Sequence, residues 1–257
     1  MTQSNSEQTP AAPRGSRFLG RILPVAVRLW LQSQVEQIEG LSFELQGSDR
    51  EILSGYLPAV SLSARQAVYR GIHVQAVAIA ADQIRINLGQ VLQGRPLRLL
   101  AAFPVRGEIR LSRANLNDSW QSPLLQEGLQ DFWASLYARP GFQAELAARY
   151  GWTELGQLHH SQVSLRPGQL ILSFYPQAPS AEPSIPQIVI ATGLTVQSGH
   201  LLVLQQPQWL ATLTAPAGDP IATLENFQWD LGSQAKFEAF ELLADAVYCR
   251  GQVQVTP

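Results

Sequence analysis

The chain has a single cysteine, Cys249, among its 257 residues. No disulfide can form within the chain, and no cluster of thiolates can bind a metal within one copy. We interpret Cys249 as a small apolar residue in a strand near the C-terminus. Histidine is also scarce, and the adjacent His159 and His160 point to opposite sides of an extended segment, which makes joint chelation difficult. The sequence therefore predicts no metal site and no cofactor.

Charge is sparse and nearly balanced. Charged residues make up 15% of the chain, lysine occurs once, and the formal net charge is -2. Such a balance argues against electrostatic binding of nucleic acid. The sequence also has no glycine-rich phosphate loop, no nucleophile elbow and no zinc-peptidase motif. We predict a protein that is not an enzyme and does not bind nucleic acid.

Long uncharged apolar runs are missing as well. A membrane-spanning helix needs about 20 predominantly apolar residues, whereas Arg21 and Arg28 interrupt the apolar N-terminal stretch. Arg28 would also lie in the apolar centre of a signal peptide, which argues against cleavage and export. These features favour a cytoplasmic protein that associates peripherally with a membrane, and a periplasmic location is the less favoured alternative.

The N-terminal region divides into a polar tail and a basic, apolar segment. Residues 1–16 lack an apolar period and predict a disordered tail, followed by a single domain over residues 17–257. We interpret the start of that domain as a collar that contacts anionic headgroups, or alternatively as an extension of the core helix. The predicted membrane-contact residues are Arg17, Phe18, Leu19, Arg21, Ile22 and Leu23.

A helix is predicted over residues 24–39. Pro24 suits its first position, and Gly40 suits its end. Val27, Leu31 and Val35 share one face, which we expect to pack on a sheet.

Alternation of apolar and polar residues dominates the part of the chain that follows. Ile84, Ile86 and Leu88 alternate with polar neighbours, which is typical of strands with one dry and one wet face. Val105, Ile109 and Leu111 alternate in the same way with Arg106, Glu108 and Arg110. We predict strands within 41–112, a turn over 47–50, helices within 117–150 and further strands within 162–255. Ser122 and Pro123 suit a helix start, and Pro140 suits its end. The predicted class is α+β with antiparallel sheets.

Several strings resemble the LmeA-type phospholipid-binding family, in its cyanobacterial-like branch. They are DREILSG at 49–55, PAVSL at 58–62, AVYRG at 67–71, IRINL at 84–88 with GRPL at 94–97, LN at 116–117 with SPLL at 122–125, and CRGQV at 249–253. The resemblance covers most of residues 24–257. It implies phospholipid binding in membrane or envelope biogenesis. It also implies a tubular lipid-binding-like fold, in which a strongly curved antiparallel sheet wraps around the long N-terminal helix.

We therefore expect an apolar groove between the first helix and the first strands. The candidate lipid-binding residues are Val27, Leu31, Val35, Val60, Leu62, Ile84, Ile86, Leu88, Val105, Ile109 and Leu111. Each of them also suits an ordinary packed core. The leading hypothesis is a non-catalytic phospholipid-binding or lipid-transfer protein at an anionic membrane surface. The alternative is a structural or assembly factor with a fully packed core that binds a protein partner.

Overall fold

The computed structural model describes residues 35–153, 159–175, 187–232 and 235–257. Several predictions lie outside these residues. They are the tail at 1–16, the six membrane-contact residues, and the helix over 24–34 with Val27 and Leu31.

The described residues form an α+β structure in which all strand pairs are antiparallel. The strands are β1 (Gln37–Glu39), β2 (Ser42–Gln46), β3 (Tyr56–Ala64), β4 (Gln66–Tyr69), β5 (Ile72–Val74), β6 (Ala76–Arg85), β7 (Phe103–Ser112), β8 (His159–Arg166), β9 (Gln169–Tyr175), β10 (Ile188–Gln197), β11 (Leu201–Trp209), β12 (Asp219–Pro220), β13 (Gln228–Asp230), β14 (Ala235–Leu242) and β15 (Ala246–Val255). They build three sheets instead of the one curved sheet that was expected.

The first large sheet combines both ends of the described chain. Its order is β14-β15-β7-β6-β3-β2, so the two last strands pair with the early meander. Val77, Ile109 and Cys249 are direct partners across β6, β7 and β15, and they share the dry face because opposed residues point the same way. The other face is polar, with an exposed ion pair between Arg106 and Asp82. The predicted alternation is confirmed here.

The second large sheet consists of two consecutive hairpins with short additions. Its order is β12-β11-β10-β9-β8, and β13 also pairs with β11. The hairpins turn at Gly168 and at Ser198-Gly199, where all three residues adopt positive φ. A third, small sheet has the order β1-β4-β5.

Five helices lie between or beside the sheets in the described residues. They are α1 (Asp49–Leu53), α2 (Leu88–Val91), α3 (Arg113–Asp118), α4 (Pro123–Tyr137) and α5 (Pro140–Tyr150), with 3-10 turns at Ser119–Gln121 and Ala222–Leu224. Ser122 caps α4 as predicted, its Oγ accepting from the Leu125 N–H.

Four local predictions were wrong. The strand predicted through Ile84, Ile86 and Leu88 ends at Arg85, because its partner strand β3 begins opposite it at Tyr56, and Leu88 begins α2. The first helix was expected to reach Glu39, but Gln37–Glu39 is a strand whose Ile38 is the direct partner of Ala67, so pairing between strands overrides the helical pattern. The turn at 47–50 contains the start of α1, because Ser48 and Glu51 form a reciprocal capping box. Pro140 begins α5 instead of ending α4, since proline suits a first helical turn.

The largest core lies between α4, α5 and the second sheet. Phe142 and Leu146 of α5 are fully buried there against Phe174 and Ile188 of the sheet. A separate cluster fills one end of the first sheet.

Candidate functional site

The predicted lipid-binding residues of the first sheet divide into packed and open positions. Ile84, Ile86 and Leu88 are buried in a cluster with Ile52, Leu57, Ala81 and Phe103, and Val60 and Val105 pack against it. Leu111 is half-buried opposite Val247, and Val35 is half-buried. The structure thus places Ile84, Ile86 and Leu88 in packed core at one end of the sheet.

The middle of the same dry face is open. A shallow trough of about 240 Å³ crosses it, lined by Val105 and Ile109 of the predicted set. Its floor is bare backbone, because Gly107 and Gly251 are direct partners in β7 and β15. Ile79, Ile109 and Val253 are 36%, 37% and 41% exposed along this face. Leu62 of β3 is the direct partner of Ile79 in β6, so it points to the same dry face at the edge of this space. We call the 240 Å³ space the first-sheet trough.

A deeper apolar space lies between α4 and the second sheet, and we call it the α4 groove. Its volume is about 260 Å³. One wall is the inner face of α4 and the other is the dry face of β9, β10, β11 and β13. The wall residues include Leu124, Leu125, Gly128, Leu129, Phe132, Trp133 and Leu136 of the helix, and Leu170, Leu172, Ile190, Thr192, Leu194, Leu202, Leu204 and Trp229 of the sheet.

Strand register brings the sheet side of the groove together. Leu172 is the direct partner of Ile190, Leu194 of Leu204, and Leu202 of Trp229. Because directly opposed residues point to the same face, one continuous apolar surface results.

The groove is almost free of polar groups. Apart from two indoles, Thr192 has the only polar side chain among the lining residues that the structure describes, and its Oγ1 lies 2.9 Å from the Gly193 carbonyl oxygen, to which it donates. The Trp133 indole N–H is buried and has no acceptor within the described residues. A wall of this kind offers apolar contacts to a hydrocarbon chain and has few polar groups that would favour water in its place.

Aromatic rings close the groove around the C-terminal half of α4. Trp133 stacks on Trp152 at 5.6 Å between centroids, and its edge meets Phe142 and Phe174. Phe132 packs edge-on against Trp229 at 5.1 Å. The mouth lies at the other end, where Leu124 is 46% exposed.

The α4 groove and the first-sheet trough adjoin one apolar cluster. Leu170 and Leu194 line the groove, and they also pack against the buried cluster of Leu165, Leu242 and Val247. Cys249 packs on that cluster too, and it lines the trough. The dry faces of the two large sheets therefore meet along this cluster.

None of the described residues that line the α4 groove carries a titratable side chain. Burial raises the pKa of the Cys249 thiol to about 11, which keeps it protonated near neutral pH. Within the described part of the chain, no three His, Cys, Asp or Glu side chains are placed to hold a metal ion. No helix among the described residues is both long enough and apolar enough to cross a bilayer.

None of the residues that line the α4 groove is among the lipid-binding residues predicted from the sequence. The helical spacing of Leu125, Leu129 and Phe132 indicates only a buried stripe, and all three line the groove. The strands β9 and β10 carry apolar residues on both faces, for example Ile171 behind Leu172, and this obscured the alternation. The available signal was the set of every-second leucines at 170, 172, 202 and 204.

Comparison with known proteins agrees with an apolar ligand site. No curated protein and no solved structure matches the chain. A family model described as LmeA-like phospholipid-binding matches residues 15–252, which is nearly the whole chain. With that match, and with the resemblance of its motifs, the chain belongs to the LmeA-like phospholipid-binding family.

Proposed function

We propose that the protein binds a phospholipid without chemically altering it, with one acyl chain in the α4 groove, and that it exchanges this lipid with a membrane surface. The observation that carries the proposal is the groove itself, whose walls are apolar from Leu124 to Leu136. In the proposed role the protein serves membrane or envelope biogenesis.

The length of the groove suits an acyl chain. Leu124 and Leu136 are twelve residues apart on α4, which corresponds to about 18 Å of helix. One leaflet supplies roughly half of the ~30 Å hydrocarbon core, or about 15 Å. An extended tail can therefore lie along the helix from the mouth at Leu124 to the aromatic end at Leu136.

The energetics favour exchange over permanent capture. Each methylene gains about 0.8 kcal/mol on leaving water, but the bilayer supplies the same gain. A groove with few polar groups nearly matches the bilayer, so the free-energy difference between membrane and protein is small. This balance suits a carrier that loads and releases lipid at a surface.

The first-sheet trough is proposed as a second apolar contact, with Leu62, Val105 and Ile109 beside Ile79. The predicted stripe of Val27, Leu31 and Val35 is its proposed cover.

Arg17 and Arg21 are proposed to contact anionic headgroups while the protein is peripherally bound from the cytoplasmic side. Removing residues 1–23 should then abolish binding to anionic vesicles and leave circular dichroism of the remaining chain unchanged.

One observation favours an alternative function. The exposed apolar residues Ile79, Ile109 and Val253 would also suit a protein partner in an assembly factor. This alternative predicts that the purified protein carries no lipid and does not bind lipid vesicles.

Native mass spectrometry of the full chain after mild extraction tests the proposal. The expected result is a set of added masses equal to phospholipids, with lower occupancy in Leu202→Gln, because that change adds an amide to the groove wall. Leu201→Gln is the matched control, since neighbouring strand residues point to opposite faces. Lipid-free wild type that also fails to bind vesicles would refute lipid binding and favour the assembly factor.

A further inference from the structure

A polar basin adjoins the mouth of the α4 groove. Its volume is about 600 Å³, and Leu124 lines both spaces. The charged residues around the basin are Glu36, Arg70, Asp118 and Glu127. An amphipathic molecule whose tail enters the groove at Leu124 would thus place its polar end here.

Hydrogen bonds fix one side of the basin. Arg70 and Gly71 form the tight β4-β5 turn with φ of 50° and 75°. The Ser122 hydroxyl donates to the Arg70 carbonyl oxygen at 2.8 Å, and the Gly71 N–H donates to Glu36 Oε2 at 3.1 Å. A Cβ at Gly71 would lie 3.2 Å from Ser122, so the turn lies directly against the start of α4.

The free charges in the basin have both signs. The Arg70 guanidinium lies 5.8 Å from the Tyr69 ring centroid and makes no ion pair among the described residues. The Asp118 and Glu127 carboxylates make neither an ion pair nor a hydrogen bond within the described chain. Among the described residues, one unpaired cation and two unpaired anions therefore face the same open space.

We propose that this basin binds the headgroup of a zwitterionic phospholipid, with the phosphate at Arg70 and the ammonium at Asp118 and Glu127. The proposal rests on the proposed function, because the acyl chain in the α4 groove brings the headgroup to this place. Three carboxylates against one arginine disfavour a headgroup with negative charge alone. A headgroup that carries an ammonium as well as a phosphate matches both signs.

A displacement assay on the full chain tests the proposal. A fluorescent fatty acid fills the groove and is displaced by dihexanoyl phosphatidylethanolamine, dihexanoyl phosphatidylglycerol or dihexanoylglycerol. We expect phosphatidylethanolamine to bind roughly twofold to tenfold more tightly than phosphatidylglycerol, as exposed charge pairs allow. Glycerophosphoethanolamine, which has the headgroup without acyl chains, should not displace the probe, and displacement by it would contradict a headgroup site that depends on the groove.

Two variants remove the charges separately. Asp118→Asn with Glu127→Gln should bring the ratio of the two phospholipids towards one. Arg70→Asn should weaken both phospholipids relative to dihexanoylglycerol, and it should fold normally because Asn-Gly suits this turn. Arg95→Asn is the control for Arg70→Asn, since Arg95 is exposed and lies outside the basin.

The outcomes separate the two proposals. Probe binding with no headgroup preference, unchanged in the variants, overturns the headgroup site and leaves the groove intact. A probe that does not bind the wild type overturns both proposals.

Discussion

Replacing Leu129 with tryptophan should shorten the α4 groove without disturbing the fold. Leu129 lies on the groove wall five residues after Leu124, or about 7 Å along the helix. Because the side chain borders empty space, the larger indole can occupy the groove. Seven further residues, about 10 Å of groove, would then lie beyond the obstruction.

The magnitude follows from acyl chain length. Each methylene that enters the groove contributes about 0.8 kcal/mol, which is about fourfold in affinity measured from water. The wild type should therefore bind single-chain lipids more tightly with each added methylene until the chain reaches about 18 Å. In Leu129→Trp the gain should stop at about 7 Å of chain.

Displacement of a fluorescent fatty acid by a series of single-chain phospholipids measures this limit. Gln130→Trp is the control, because Gln130 is exposed on the same helix. The melting temperature shows whether Leu129 borders an open groove or a filled core. A larger side chain in a filled core costs about 1–3 kcal/mol of stability, and each kcal/mol lowers the melting temperature by roughly 2–4 °C. A chain-length limit equal to that of the wild type, together with a clear fall in melting temperature, would refute the groove at Leu129.

Three further predictions concern reactivity and stability. At pH 8, Cys249 in the folded protein should alkylate roughly two hundredfold more slowly than a free thiol of pKa about 8.5, because its own pKa is about 11. The alkylation rate should then rise tenfold per pH unit up to pH about 11. A fast rate at pH 8 would contradict burial of the thiol. Glu145→Ala should lower the free energy of unfolding by about 1–3 kcal/mol in denaturant titrations, because the Glu145 carboxylate accepts hydrogen bonds from the Trp209 indole at 3.2 Å and from the Thr223 hydroxyl at 2.8 Å. Glu145→Gln retains an acceptor and should therefore cost less. Ser122→Ala should cost about 1 kcal/mol or more through loss of the α4 cap, and an unchanged unfolding midpoint would show that the cap contributes nothing.

Features that depend on neighbours along the chain were predictable from the sequence. The cap at Ser122 and the hairpin turn at Gly168 follow from local backbone preferences, and both appear in the structure. The alternation of Val105 and Ile109 with Arg106 follows from the two-residue period of a strand.

Features that depend on distant partners were not predictable in the same way. Gln37–Glu39 continues a helical pattern, yet pairing with β4 makes it a strand. Apolar alternation around Ile84 to Leu88 resembles a groove lining, but whether such residues face a void or each other depends on α1 and on Phe103 packing over them. The α4 groove requires one helix to face strands that begin more than 30 residues later, which no local period encodes.

The bare floor of the first-sheet trough has a consequence for design. An added Cβ at Gly107 would meet the Ala78 carbonyl oxygen at 3.5 Å and Ile79 at 3.8 Å, which are ordinary contacts. At the facing Gly251 it would come within 2.5 Å of the Lys236 carbonyl oxygen, so that position admits only glycine unless β14 shifts. The series Gly107→Ala, Gly107→Val and Gly107→Leu should therefore make the first-sheet trough shallower step by step, while the pairing of β7 with its neighbouring strands is retained.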